Sequence, residues 1–245
     1  MRIMENKAIR IECFQNLVNY RKPSSFIIKE TLPLPPFSTV LGMIHSACGF
    51  NEFHNMKLCI QGMNNGFISE LYTRYSFNAG AKYEPDRHQL YVGDEKKYGI
   101  FKGIANVELI CENSMVIHIM PEESDFDIVY NSLMSPPKYL SLGRHEDLLD
   151  IRDIQKVKIY EQEEVLLKRN MYIPVDNKYT FDMNIAGNSP CTIYNLTKEY
   201  EITKDGLRRW KKDGGRIKCY YMPAGRYLEM AYVDDYGDDA AIIFV

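Results

Sequence analysis

An α+β fold is predicted for this chain of 245 residues by three observations. Runs alternating with period two recur along roughly the first 160 residues, and two stripes of helical period interrupt them. The stretch Thr31-Leu-Pro-Leu-Pro-Pro-Phe-Ser-Thr-Val-Leu-Gly-Met-Ile-His-Ser46 couples a stiff turn to a helix start.

Residues 8–14 alternate as a strand with Ile9, Ile11 and Cys13 inward. A polar, proline-containing loop follows, holding Asn19, Tyr20, Arg21 and Lys22. Pro33, Pro35 and Pro36 cannot lie inside a helix, and each pushes the preceding residue toward extended backbone, so the chain arrives extended and then turns. Ser38 or Thr39 can cap the helix expected over about 37–48, on which Val40, Ile44 and Ala47 form one apolar face. Unpaired N–H groups at such a start favour an anion, although such residues taken alone more often form a plain loop-to-helix junction.

Residues 56–63 and 67–77 read as two strands joined by Asn64-Asn65-Gly66 as a hairpin turn. Between 78 and 102 the apolar pattern lapses into Gly, Lys, Arg and Tyr. Such a segment is a functional protrusion or a disordered excursion, and its tyrosines favour the protrusion. Alternation resumes at 103–111 and 114–120. Phe126, Val129, Tyr130 and Leu133 then mark a second helix, which Pro136-Pro137 closes. Residues 139–148 form a compact polar turn, and strand-like residues follow around 154–160. The order strand-helix-strand-strand-helix-strand is the split βαβ or ferredoxin-like order, here with an inserted arm. From about 163 onward, short strand patterns and turns such as Asp213-Gly214-Gly215 read as a smaller β-rich region. The expected division is therefore 1–162 and 163–245.

A formal net charge of −3 argues against broad attraction to DNA or membrane, so any RNA contact must be local. Lys204, Arg208, Arg209, Lys211, Lys212, Arg216 and Lys218 cluster, as do Asp234, Asp235, Asp238 and Asp239. Each group also reads as a solvated face or an inter-subunit ion pair. The two Asp-Asp pairs lack the ligand spacing of a calcium loop, and a solvated acidic turn is expected. The six cysteines show no Cys-x-x-Cys pair and read as small buried hydrophobes. No apolar run approaches a membrane span and Met-Arg-Ile-Met-Glu-Asn-Lys lacks the core of a signal peptide, so a cytoplasmic protein without membrane contact is expected. Phosphate-loop, dinucleotide, zinc-protease and nucleophile-elbow motifs are absent, and neither cofactor nor metal is expected.

The segment Leu-Pro-Leu-Pro-Pro-Phe-Ser-Thr-Val-Leu-Gly-Met-Ile-His at 32–45, the arm, and Tyr-Leu-Ser-Leu-Gly-Arg-His-Glu-Asp at 139–147 together resemble one family. It is the CRISPR-associated Cas-five family, the RAMP-type subunit of type I Cascade surveillance complexes, with type I-B variants the most similar. The resemblance spans nearly all of the N-terminal domain, and Leu142-Gly143-Arg144 matches the family's glycine turn. The C-terminal third offers no matching motif. What the resemblance implies is an RRM-like domain that grips the 5′ handle of the crRNA and caps the backbone of repeated subunits. A β-hairpin thumb, here about 79–101, would cross the guide and touch the adjacent backbone subunit. The large subunit would dock nearby, and target DNA would be met through the complex.

Single-stranded RNA is held by cations on phosphates and aromatic rings under splayed bases. Candidate contacts are Arg21 and Lys22 in the loop and Ser38 and Thr39 at the helix start. Along the arm and its base they are Arg74, Lys82, Arg87, His88, Lys97 and Lys102, with Tyr75, Tyr83 and Tyr91 as stacking rings, and His145 beside the glycine turn. Each tyrosine equally suits packing on the hairpin itself. Gly143 can admit RNA closely while Arg144 forks onto a phosphate, or the two can form a structural tight turn.

One branch of the family, in type I-C systems, cleaves the crRNA precursor. RNA cleavage through a 2′-hydroxyl needs a base and a group that steadies the leaving oxygen. That branch's tyrosine, a few residues after the glycine matching Gly42, falls by ungapped counting on Cys48. Its Lys-His pair is absent, and Arg87-His88 is a loose substitute. His45, His88 and His145 lie near the presumed RNA face, with His45 reading as a core or interface residue; His54 and His118 read as structural. A non-catalytic binding subunit is therefore expected, with a metal-independent endoribonuclease and a purely scaffolding protein as alternatives.

Overall fold

The computed structural model describes residues 6–176, 191–238 and 241–245, which form a 10-stranded antiparallel sheet, a 2-stranded sheet and two helices. Strand β1 (Asn6–Val18) buries Ile9, Ile11 and Cys13 as expected, yet Ala8 and Arg10 on its other face are buried too. Central strands here are covered on both faces, so simple alternation understates their burial. On one side, Ile9 and Ile11 pack with Val40, Leu41 and Ile44 of α1 (Phe37–Cys48) and with Val129 and Leu133 of α2 (Phe126–Met134). On the other, Ala8, Cys59, Val157 and Val233 gather around Ala241, Ile242 and Ile243.

Helix α1 begins after Pro36, at φ −67° and ψ 153°, and ends on Gly49 at φ 70°. The cap expected from Ser38 or Thr39 does not form. The Thr39 N–H reaches the Pro36 carbonyl, while buried Ser38 turns its hydroxyl to Thr197. Proline already holds the extended backbone that a capping residue must adopt, which leaves Ser38 for a tertiary contact.

The hairpin expected at Asn64-Asn65-Gly66 is replaced by a different arrangement. β2 (Met56–Met63) and β3 (Phe67–Lys82) both pair with β5 (Tyr98–Pro121), with Met63 opposite Ser114 and Phe67 opposite Ile110. The two strands therefore run end to end along one edge of β5. Gly66 at φ 103° and Glu112 at φ 50° absorb the kink, and the hydrogen bonds Asn65 N–H to Cys111 O and Cys111 N–H to Gly66 O keep the ladder continuous. The alternation at 103–111 and 114–120 likewise belongs to one strand. The full sheet order is β12 (Tyr227–Asp234), β6 (Asp150–Leu166), β1, β5, β2, β7 (Asn170–Pro174), β11 (Arg216–Met222), β8 (Thr192–Thr197). α1 connects β1 to β2, and α2 connects β5 to β6. Strands from beyond residue 163 thus extend the same sheet at both edges. β9 (Tyr200–Ile202) and β10 (Arg208–Trp210) pair separately.

The reversal of the arm lies between β3 and β5, and its strands reach further than 79–101. They pair from Phe67 with Ile110 out to Lys82 with Tyr98, and β4 (Leu90–Val92) joins β5 at the tip. The arm stands clear of the core, with Leu71, Phe77 and Ile104 exposed to 71%, 71% and 81%. Its tip has packing of its own. His88 is buried against Phe101, ring centroids 4.7 Å apart, and a Cβ on Gly99 would lie 2.3 Å from the imidazole.

Three charged or polar expectations are corrected by burial. Asp234, expected in a solvated turn, is fully buried beside Arg10 and His118, and Asn19 and Tyr20 of the expected polar loop are buried as well. Asn19 earns its place by donating to the Lys29 and Glu108 carbonyls at 2.8 and 2.7 Å. Asp239 and the segment 177–190 lie outside the described residues. Cys13, Cys59 and Cys219 are buried, whereas Cys48, Cys111 and Cys191 are partly exposed. Among the described residues no cluster of His, Cys, Asp or Glu suits a metal ion, and no helix is long and apolar enough to cross a membrane.

Candidate functional site

Two sequence motifs meet at one cleft of about 380 Å³, where Ser38, Thr39 and Gly42 of α1 face the turn containing Ser141 and Gly143. Gly143 sits at φ 114°, and a Cβ there would lie 2.9 Å from Asp147 Oδ2, 2.9 Å from Val18 Cγ2 and 3.0 Å from the Asn19 carbonyl. Buried Asp147 accepts the Asn19 and Arg144 backbone N–H groups at 3.1 and 2.9 Å. It also accepts the Arg144 guanidinium, with Nη2 2.7 Å from Oδ1, while Nη1 lies 3.1 Å from Glu146. Gln15 donates to the Leu142 and Asp147 carbonyls at 2.8 and 3.0 Å, fastening the turn to β1. The hydrogen bond to Asp147 raises the Arg144 pKa, so its charge is permanent. Its fork is engaged with carboxylates, as the tight-turn reading has it, and does not open toward the cleft.

The third wall comes from the C-terminal region. Buried Tyr200 bonds to His45 Nδ1, and His45 Nε2 lies 3.0 Å from the His54 carbonyl. A carbonyl can only accept, so Nε2 carries the proton and Nδ1 accepts the tyrosine hydroxyl. Burial pushes the His45 pKa down to about 4, and the neutral ring belongs to the packing between α1 and β9. Between that value and the unfolded value of about 6.5, the unfolded chain holds a proton that the folded chain excludes. Unfolding free energy therefore falls as pH falls through this window. The urea midpoint should drop between about pH 7 and pH 4.5, and drop less in His45→Gln. The same decrease in both proteins would remove His45 as its source.

Arg208 lies between the Tyr200 ring, 4.5 Å away, and Gly42, where a Cβ would be 2.6 Å from Nη1. Glycine at this position admits the cation. Lys211 pairs with Glu199 at 2.9 Å and sits 4.3 Å from the Phe53 ring centroid, so part of the basic run joins this hairpin to the body rather than lying on a solvated face. Lys138, Tyr139 and Trp210 also line the cleft.

Positive charge continues from the turn to the arm. The Lys29 pKa is lowered by burial first, then by Arg74, Arg21 and Arg144, with Glu146 opposing them, so cations gather at the arm's base around a carboxylate that Arg144 already pairs with. Lys22 lies 3.9 Å from Glu30. Arg74 and Lys102 line a second groove, of about 410 Å³, with Phe26 and Ile27. Farther out, Tyr83 and Tyr91 pack on each other with centroids 5.0 Å apart, Lys97 lies 4.4 Å from the Tyr91 ring, and Arg87 lies 3.9 Å from Glu84. Tyr83 is half-buried by these contacts, whereas Tyr91 and Tyr75, the latter opposite Lys102, are exposed to similar extents; Lys82 pairs in register with Tyr98. His88 Nδ1 accepts the Glu84 N–H at 3.1 Å within the tip, and exposed His145 lies 2.8 Å from Glu146. His54 pairs with Asp125 at 2.7 Å and His118 with Asp234 at 2.7 Å.

The structure thus puts Ser38, Thr39 and Gly143 at the cleft and the residues from Arg74 to Lys102 on the arm, while Arg21, Lys22, Arg144 and His145 line neither groove. Sequence reasoning missed Lys29, Lys138, Tyr139, Arg208 and Trp210 as site residues. A lone tryptophan inside a basic run was the available signal for two of them. Nothing in the local pattern marks Lys29.

Residues 8–178 match the model of a family described as CRISPR-associated protein (Cas_Cas5). No curated protein matches the sequence. Among solved structures, a chain of a CRISPR RNA-guided surveillance complex is similar at 12% identity and TM-score 0.50, over 89% of this chain and 90% of that one. A CRISPR protein from Archaeoglobus fulgidus aligns at 9% identity and TM-score 0.47, over 97% of this chain and 98% of that one. At 12% identity the first of these likenesses is one of fold.

Proposed function

The chain belongs to the Cas5 family of CRISPR-associated proteins, and we propose on that premise that it is a crRNA-binding subunit of a type I, I-B-like Cascade complex. In this reading it grips the 5′ handle without cutting RNA, caps the backbone filament beside the large subunit, and meets target DNA only through the assembly in the cytoplasm. The β6-β1-β5-β2 order with α1 and α2 as its connections supports a ferredoxin-like RAMP core over about residues 1–162, with β6 running on to Leu166. The region 163–245 then supplies further strands and the hairpin that closes the cleft.

One observation carries the reading. Lys138 and Arg208 line a cleft, and Arg74 and Lys102 line a groove at the base of an exposed arm that also bears Tyr75, a course suited to a single strand held by phosphates and ring faces. Binding rather than cleavage is favoured because His45, His88 and His118 are buried and hydrogen-bonded, leaving only His145 largely open among the histidines once His54 is paired.

The test is a titration of the purified chain, and of its complex with partner subunits, with handle RNA and an unrelated RNA of equal length at stated salt. Handle RNA should bind at least about tenfold tighter. Four engaged cations, Lys138 and Arg208 in the cleft and Arg74 and Lys102 at the arm, would give a salt slope of roughly −3 in log affinity against log salt. Equal, weak binding to both RNAs overturns handle recognition. Metal-independent cleavage of repeat RNA would instead select the endoribonuclease, and crosslinks from the arm to protein alone would select the scaffold.

A further inference from the structure

The third wall of the cleft has a feature that lies beyond the residues matched to the family, which end at 178. Arg208 and Trp210 stand two residues apart on β10, and side chains at that spacing share one face of a strand. Both line the cleft that also holds Ser38, Gly42, Lys138 and Gly143. Trp210 remains 40% exposed although it pairs in register with buried Tyr200.

The wall is anchored through its partner strand. Tyr200 is bonded to His45 and set edge-on to Phe53 with centroids 5.4 Å apart, while Lys211 and Glu199 close the next turn at 2.9 Å. Arg208 is exposed, yet its guanidinium lies on the Tyr200 ring at 4.5 Å and in the space a Cβ on Gly42 would take. At about 380 Å³ the cleft is at the lower end of small-ligand sites, a size suited to a single nucleotide rather than a helix or a folded partner.

We propose that the face of β10 bearing Trp210 and Arg208 is a nucleobase-holding wall, where one unpaired base of a single-stranded RNA stacks on the indole and Arg208 and Lys138 meet its flanking phosphates. The inference rests on the reading of the cleft as an RNA site and adds to it the element that orients a base. Indole is the broadest stacking surface among side chains, and stacking tolerates any base because every base has a flat face. The wall therefore contributes affinity more than sequence choice.

Trp210 is the single tryptophan of the chain, so intrinsic emission reports this wall alone. Handle RNA should be titrated into the full chain while indole emission and the anisotropy of labelled RNA are followed together. The emission change should saturate at the same RNA concentration as the anisotropy. Trp210→Ala should weaken binding by about 10- to 100-fold, and Trp210→Phe should retain most of it. Tight binding by anisotropy with unchanged emission, or with Trp210→Ala binding like the parent, overturns the wall and leaves the RNA-binding reading standing. Equal losses in the Ala and Phe variants, with parent-like urea unfolding, also overturn stacking. Absence of binding to any RNA overturns both.

Discussion

Asp234→Ala should lower the unfolding free energy by about 3–5 kcal/mol, the loss typical when one member of a buried charge network is removed. Asp234 is fully buried and takes the His118 Nε2–H at 2.7 Å, lies 3.4 Å from Arg10 Nε, and accepts the Tyr236 N–H at 3.1 Å. Arg10 and His118 are themselves fully buried. Without the carboxylate, the guanidinium keeps Glu12 at 2.7 Å and Asp238 at 3.1 Å, both at the rim, and His118 loses its acceptor. Burial already pushes the His118 pKa down against the pull of Asp234, so the imidazole would stay neutral and unpartnered. Urea denaturation of the variant gives the answer directly. A loss below about 1 kcal/mol would mean that Glu12 and Asp238 suffice for Arg10. Asp234→Asn keeps an acceptor for His118 and should cost less than the alanine variant.

Gly143→Ala should destabilise the chain by about 2–5 kcal/mol, combining backbone strain of 1–3 kcal/mol with comparable overpacking. A φ of 114° lies outside the region that even Asn adopts readily, and the added methyl would meet Val18, Asn19 and Asp147 at 2.9–3.0 Å. Two of those neighbours cannot yield cheaply, since one is backbone and the other is the carboxylate that fastens Arg144. The expected sequel is release of the Arg144–Asp147 fork and widening of the cleft, with handle RNA bound more weakly than the loss of folded protein explains. Unfolding curves and RNA titrations on the same sample separate the two effects. A variant as stable as the parent would show that the turn can rearrange.

The residues that predicted elements correctly acted over short distances. Val40, Ile44 and Ala47 mark a helix because they repeat with its period, and the proline run marks its start because φ is fixed locally. The helix at Phe126–Met134 and the Gly143 turn were legible for the same reason. Asn64-Asn65-Gly66 misled because turn propensity states only that the chain bends. Whether the bend reverses a strand or kinks it depends on β5, whose edge is long enough to hold both β2 and β3. The acidic cluster misled similarly, since charge along a sequence does not reveal that β12 sets Asp234 under His118.

About this protein, the sequence by itself determined the helices, the strand-forming runs, the projecting arm and the family resemblance, all of which follow from periods, fixed dihedrals and motifs read within a few residues. Only the tertiary structure decided that β2 and β3 share one edge, that Asp234 and Asn19 are buried, that Arg144 answers to Asp147, and that Arg208 and Trp210 close the cleft against Gly42. These features depend on hydrogen-bond satisfaction and exclusion of water between groups distant along the chain, which local preference does not encode.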